Sequence, residues 1–202
     1  MIVDLREIQT YYINLKQDKE KNILMQNLKN DFGFKNYNRL DGVYIKDDPK
    51  TGCASSHYKI LSEIKTPTII LEDDCVIKNN KPIIEVPDDA DAVYLGLSQW
   101  GYKDDISKIK NFNFEKHKTI SSIYKISSML ATHAILYLSK DYINICNRVA
   151  KYSKENSVHI DQGFARIQRY YNVYAISDPI FYQSSNKAAT NFKFSLNKIV
   201  IH

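Results

Sequence analysis

The stretch "TPTIILEDD", Thr66 to Asp74, constrains the fold more than any other part of this sequence. Its apolar residues run on without a polar break. A strand with one wet face alternates apolar and polar residues, whereas an unbroken run needs cover on both faces, as in a parallel sheet between helical layers. Three acids, Glu72, Asp73 and Asp74, then follow at the strand's end. In parallel α/β sheets, ligands bind beyond the carboxyl ends of the strands. If the chain stays extended, Glu72 and Asp74 share one face and Asp73 takes the other. Carboxylate oxygens there suit Mg²⁺ or Mn²⁺, with substrate phosphates completing the coordination. The competing reading is a solvated acidic turn. A calcium loop is excluded, because no glycine follows Asp74 at the required place.

The flanking segments fit that architecture. "TYYINL", Thr10 to Leu15, reads as a strand. The segment after it predicts a helix with Ile23, Leu24, Leu28 and Phe32 on its apolar face and Gly33 as its stop. "KNYNRLDGV" is a short strand entering an Asp-Gly turn. "ASSHYKILSEIK" predicts a helix capped by Ser55 or Ser56, with Tyr58, Leu61 and Ile64 inward. "ADAVYLGL", "THAILYLS" and "NVYAIS" are further strands, "KDYINICNRVAKY" a helix, and "DPIFYQSS" an extended exit. Strands and helices alternate from residue 11 to about 95, which argues for βαβ units. The expected fold class is α/β, a Rossmann-type mixed, mostly parallel sheet flanked by helices in a single domain over residues 1–202. Residues from about 99 to 120 are rich in Lys, Asn and Asp and read as a long loop or insertion.

Composition narrows the class. With 44% apolar and 25% charged residues the chain is of ordinary globular type. No apolar run approaches the roughly 20 residues of a membrane span, which leaves only peripheral membrane contact. The N-terminus shows no signal-peptide pattern, so a cytoplasmic location is expected. Cys53, Cys75 and Cys146 are odd in number and widely spaced, which argues against a disulfide framework or a zinc site. The net charge of +5 permits an anionic partner, but the lysines form no stripe, and nucleic acid is not favoured.

Other motifs carry weaker signals. "GCASSH", Gly52 to His57, sets Ser56 beside His57, but there is no G-x-S-x-G elbow. As a helix start it could offer N–H groups to an anion. There is no Walker motif and no G-x-G-x-x-G, so a nucleotide has to be held by a metal and side chains. "VHIDQGF" places Asp161 at a helix start, as a cap or as a general base, with His159 as a further metal contact. Trp100 lies after a strand, where it is either part of the core or a platform for a sugar ring.

Taken in order, "YYINLK" (Tyr11 to Lys16), "RLDG" (Arg39 to Gly42), "GCASSH" and "IILEDD" resemble glycosyltransferase family 25, the lipopolysaccharide and procollagen galactosyltransferase-like group. Echoes continue through "AVYLGL", "THAILYLSKD", "HID" and "DPIFYQSS". The resemblance implies a GT-A-like fold, a UDP-sugar donor, Mn²⁺ or Mg²⁺, and transfer of a hexose, galactose or glucose, to a hydroxyl of a glycan or other acceptor with inversion. It also implies roles. Asp74 is the principal metal ligand and Glu72 its partner toward the nucleotide. Tyr12, Asn14 and Lys16 lie near the nucleotide, and Ser56 and His57 shape the donor pocket. Asp161 is the expected base, with Asp178 and Asp104 as rivals, and the insertion lies toward the acceptor. Lys16 and Lys21 stand where the family carries Arg. That departure motivates an alternative, a non-catalytic carbohydrate- or nucleotide-binding module on the same fold.

Overall fold

The computed structural model describes residues 1–98, 101–102, 108–109 and 114–184. The chain begins β1 (Ile2–Asp4), β2 (Gln9–Asn14), α1 (Lys19–Phe32), β3 (Tyr37–Asp41), α2 (Pro49–Leu61) and β4 (Thr68–Glu72). Short strands follow: β5 (Cys75–Ile77), β6 (Ile83–Glu85), β7 (Ala92–Tyr94), β8 (Gly101–Tyr102), β9 (Lys108–Ile109), β10 (Phe114–Lys116) and β11 (Ile123–Ile126). The chain continues through β12 (Ala134–Tyr137), α3 (Lys140–Glu155), α4 (Ile160–Gln168), β13 (Val173–Ile176) and β14 (Phe181–Gln183).

The apolar run becomes β4, an inner strand of an eight-stranded sheet ordered β10-β11-β13-β7-β12-β4-β2-β3. It pairs in parallel with β2 and antiparallel with β12. Pairing directions make β11 and β12 run against the other six strands, so the sheet is mixed with one dominant direction. Ile69, Ile70 and Leu71 are fully buried. Ile70 joins the core formed with α2, α3 and α4, and Ile69 and Leu71 join the core formed with α1. Alternate residues of one strand thus feed two helical layers, which is why the run has no polar position.

Two helices differ in detail from expectation. In α1, Met25, Leu28 and Phe32 are the buried stripe, while Ile23 and Leu24 are 60% and 55% exposed. Asp18 caps its start, and Gly33 ends it at φ 83°, the left-handed conformation that glycine adopts without steric cost. Helix α2 starts at Pro49 rather than near Ser55, because Asp48 accepts from Thr51 N (3.1 Å) and proline fits the first turn. "GCASSH" is therefore mid-helix, and its N–H groups are committed to the helix rather than offered to an anion.

The expected loop also changes. Phe114–Lys116 is an edge strand paired with β11, while Trp100 and Asp104 lie outside the described residues. Among the described residues, no helix is long and apolar enough to cross a membrane.

Candidate functional site

At the carboxyl ends of β2 and β4 lies a cavity of about 410 Å³. Glu72, Asp73 and Asp74 line it, as do Ser56 and His57 from α2. Ile13, Val43, Ile45 and Pro49 give it apolar surface, and Lys21 and Lys46 bring positive charge. This is the position that the open-sheet rule assigns to a ligand.

The loop after β3 forms part of the wall, and α2 holds it. Gly42 N donates to Asn14 O (2.9 Å), and Val43 N donates to Ser56 Oγ (2.8 Å). The Ser56 hydroxyl donates in turn to Gly52 O (2.8 Å). A Cβ on Gly52 would lie 2.7 Å from Val43 O, so only glycine lets the loop come this close. Ser56 is thus fully engaged as a clamp. His57 turns to Glu72 instead, with Nε2 3.1 Å from Oε1, so no serine–histidine nucleophile pair exists.

The three acids have different partners. Glu72 ends β4, and its Oε1 accepts from Thr132 Oγ1 (2.7 Å) as well as meeting His57. Burial works to raise the Glu72 carboxyl, but these contacts outweigh it and leave the pKa below its ordinary value. Asp73 accepts from Asn14 Nδ2 (2.8 Å) and Lys21 Nζ (2.9 Å). Burial works to lower the Lys21 pKa, but its bond to Asp73, together with the charges of Asp74 and Asp18, leaves it raised. Asp74 receives Gln183 Nε2 at 3.5 Å, and its carbonyl accepts from Ser184 N (2.6 Å). The expectation that Asp73 faces away fails because the strand stops at Glu72 and a turn carries Asp73 and Asp74, so period-two alternation no longer applies.

Other expected residues scatter. Tyr12 is not a ligand-facing group. It is fully buried, stacks on Tyr37 with centroids 4.9 Å apart, donates to Asn22 Oδ1 (2.7 Å) and accepts from Gln26 Nε2 (2.6 Å). Lys16 is exposed and outside the cavity lining, where Lys21 stands instead. Asn14 is buried and acts through Asp73. Asp161 sits in the first turn of α4, its Oδ1 accepting from Gln162 N (2.8 Å), and is not among the lining residues. His159 is exposed at the start of α4 and has no part in the acidic cavity. Asp178 is tied to Lys78 (2.9 Å) and Lys81 (3.3 Å) at the surface.

The sequence reading missed the segment before β12. His133 O accepts from both Glu72 N (2.9 Å) and Cys75 Sγ (2.9 Å), so residues 132–133 hold the acidic strand end from one side. The His133 ring lies over Gly96, where a Cβ would come within 1.9 Å of Nε2. Burial pushes its pKa down to about 4. Cys53, an exposed residue, also lines the cavity, and the charges of Glu72, Asp161 and Asp74 work to push its thiol up.

No family model and no curated protein matches the chain. Among solved structures it is similar to the CTP:phosphocholine cytidylyltransferase of Streptococcus pneumoniae, at 7% identity and a TM-score of 0.41, over 88% of this chain and 93% of that one. At that distance the likeness carries no residue roles across.

Proposed function

We propose that the chain is a metal-dependent glycosyltransferase that moves a hexose from a UDP-sugar to an acceptor hydroxyl. The observation that carries this reading is the placing of three carboxylates in a partly apolar cavity at the carboxyl ends of β2 and β4. Among the described lining residues the three carboxylates face two ammoniums, Lys21, which bonds Asp73, and Lys46. Such an excess favours a cation or a cation-bound substrate.

The donor set fits Mn²⁺ or Mg²⁺, which take carboxylate oxygens. Lys21 and Asn14 occupy Asp73, and His57 and Thr132 occupy Glu72 Oε1. Asp74 and Glu72 are the proposed ligands, as the resemblance to glycosyltransferase family 25 implies. When bound, a divalent ion stabilises negative charge on a diphosphate leaving group.

The protein's own groups supply the rest. The apolar wall suits a nucleoside, and Lys46 stands where it can meet a phosphate. In transfer, the acceptor oxygen bonds to the anomeric carbon, the bond from that carbon to the diphosphate breaks, and the hydroxyl proton passes to a carboxylate. Asp161 remains the proposed base, with Asp178 and Asp104 its rivals. Asp161→Asn is expected to keep UDP binding and slow transfer by orders of magnitude, and normal turnover would remove it from the role.

The reading is tested by calorimetry of UDP and UDP-sugars with Mn²⁺ and with EDTA, followed by transfer assays. Binding that needs the metal supports it. The Lys21–Asp73 contact favours a second reading, a non-catalytic nucleotide- or carbohydrate-binding module, because an internal ammonium already satisfies one acid. Glycan binding with no Mn²⁺-dependent UDP binding would favour that module.

A further inference from the structure

Helix α2 brings a second set of donor atoms to the acidic cavity. Cys53 and His57 stand about one turn apart on it, so they share a helix face. Glu72 meets them from the end of β4. The cysteine sulfur, a histidine ring nitrogen and a carboxylate oxygen of these three residues all lie within 4.8 Å of one another. All three residues line the cavity, and Cys53 is exposed, so the cluster is reached from solvent.

The spacing suits a single ion. Nitrogen and oxygen ligands at about 2.0 Å from a tetrahedral zinc ion lie about 3.3 Å from each other. His57 Nε2 and Glu72 Oε1 are 3.1 Å apart. An ion can therefore replace the proton between them with little movement of either group. Both groups are also held from outside the cluster. Thr132 Oγ1 donates to Glu72 Oε1 (2.7 Å), and the His57 ring packs at a steep angle on Phe164. His57 is committed to no polar group besides Glu72, since its buried Nδ1 has no hydrogen-bond partner. A cysteine and an imidazole select zinc over Mg²⁺ and Mn²⁺, which prefer oxygen donors. The spacing of the three cysteines could not disclose such a site, because only one of them takes part and its third partner comes from a different element.

We infer that Cys53, His57 and Glu72 bind Zn²⁺ or another divalent cation of the same thiol-seeking class, with the remaining position open to the cavity. Coordination sends the thiol proton to solvent. The site shares Glu72 with the proposed Mn²⁺ pair, but it does not rest on the transferase reading, because metal binding alone reports it.

The test is titration of the whole reduced protein with Co²⁺, which takes zinc's tetrahedral sites and absorbs light. Wild type is expected to show the strong visible absorption of tetrahedral Co²⁺ and a near-ultraviolet sulfur-to-cobalt band. Both should saturate at one equivalent and be bleached by one equivalent of Zn²⁺. Cys53→Ala, at an exposed position, should keep the fold by circular dichroism and lose the near-ultraviolet band. Its Zn²⁺ affinity should fall by more than the roughly 10- to 100-fold that loss of a supporting residue costs. His57→Gln and Glu72→Gln should each weaken the visible absorption, and Asp74→Asn should keep both bands. The inference is overturned if wild type shows no bands, or if Cys53→Ala keeps the near-ultraviolet band. It also fails if both His57→Gln and Glu72→Gln respond like wild type, which would mark binding by the thiol alone, or if Asp74→Asn abolishes the bands. Bands in a protein that binds no UDP with Mn²⁺ would support this site while removing the transferase reading.

Discussion

The acidic cavity contrasts in charge and in construction with a second one, of about 380 Å³, between α3 and α4. The acidic one gathers three consecutive residues at a strand end and surrounds them with groups from four other elements or loops: Asn14, Lys21, His57 and Thr132. The second is formed by side chains standing on two helices, among them Arg148 and Arg166, both exposed. Grouped carboxylates repel one another and resist burial, so the fold has to hold them with partners. Exposed guanidiniums need no such support. The acids are therefore fixed by their neighbours, whereas the arginine side chains stand exposed on their helices.

Four experiments sharpen that contrast. The largest effect is expected from Asp74→Asn. In the transferase reading it should cut Mn²⁺-dependent transfer on the order of 10²-fold or more, while circular dichroism shows the fold intact. An unchanged Mn²⁺ requirement for UDP binding would remove Asp74 as ligand.

Next comes pH. His133 has its folded-state pKa depressed from 6.5 to about 4 by burial. The unfolded chain therefore takes the proton first as pH falls. Stability from the neutral imidazole is complete above about 6.5 and is lost progressively down to about 4. At 1.36 kcal/mol per pKa unit the loss is roughly 3 kcal/mol. Urea unfolding at several pH values reads it, and His133→Asn should flatten that part of the profile. The lowered carboxyls act later. Asp48, brought down to about 2 by Ser157 and Thr51, gives up its share only below its ordinary 3.8. A profile flat between pH 7 and 4.5 would contradict the burial of a neutral His133.

Gly52→Ala tests the cavity wall. Its Cβ would meet a backbone carbonyl at 2.7 Å, an overpacking cost of about 1–3 kcal/mol, against a helix-propensity gain of about 1. A lower melting temperature is expected and, in the transferase reading, weaker nucleotide binding; a higher melting temperature would show that the wall shifts freely. The smallest effect belongs to Ser56→Ala, which leaves Val43 N–H without its acceptor, at a cost of about 1 kcal/mol. It should loosen the wall and lower the melting temperature slightly.

The pattern of what the sequence disclosed follows from the range of the forces involved. The unbroken run Ile69–Leu71 announced a doubly covered strand, because burial on both faces is written into each residue. The start of α2 was also written locally, in Asp48–Pro49, but Ser55 and Ser56 drew attention to a later cap. The face of Asp73 was not legible, because it depends on where the strand yields to a turn. Tyr12 and Asn14 share one face of β2, yet Tyr12 is core and Asn14 holds an acid, a difference set by neighbouring elements rather than by their own spacing. The place of His133 and the meeting of Arg148 and Arg166 at one cavity depend wholly on tertiary approach. Short strands such as β10 and β11 bury too few residues to leave a clear pattern.

The pairing of β14 with β5 has a consequence in time. Gln183 lies opposite Cys75, and Ser184 N bonds Asp74 O. The acids leave the ribosome early, but the strand that holds their turn is made much later. A growing chain, or a fragment ending before Phe181, can carry the whole Glu72–Asp74 segment and still lack the strand that pairs with β5 beside it. The contacts of this turn are therefore complete only once the last strand has been made.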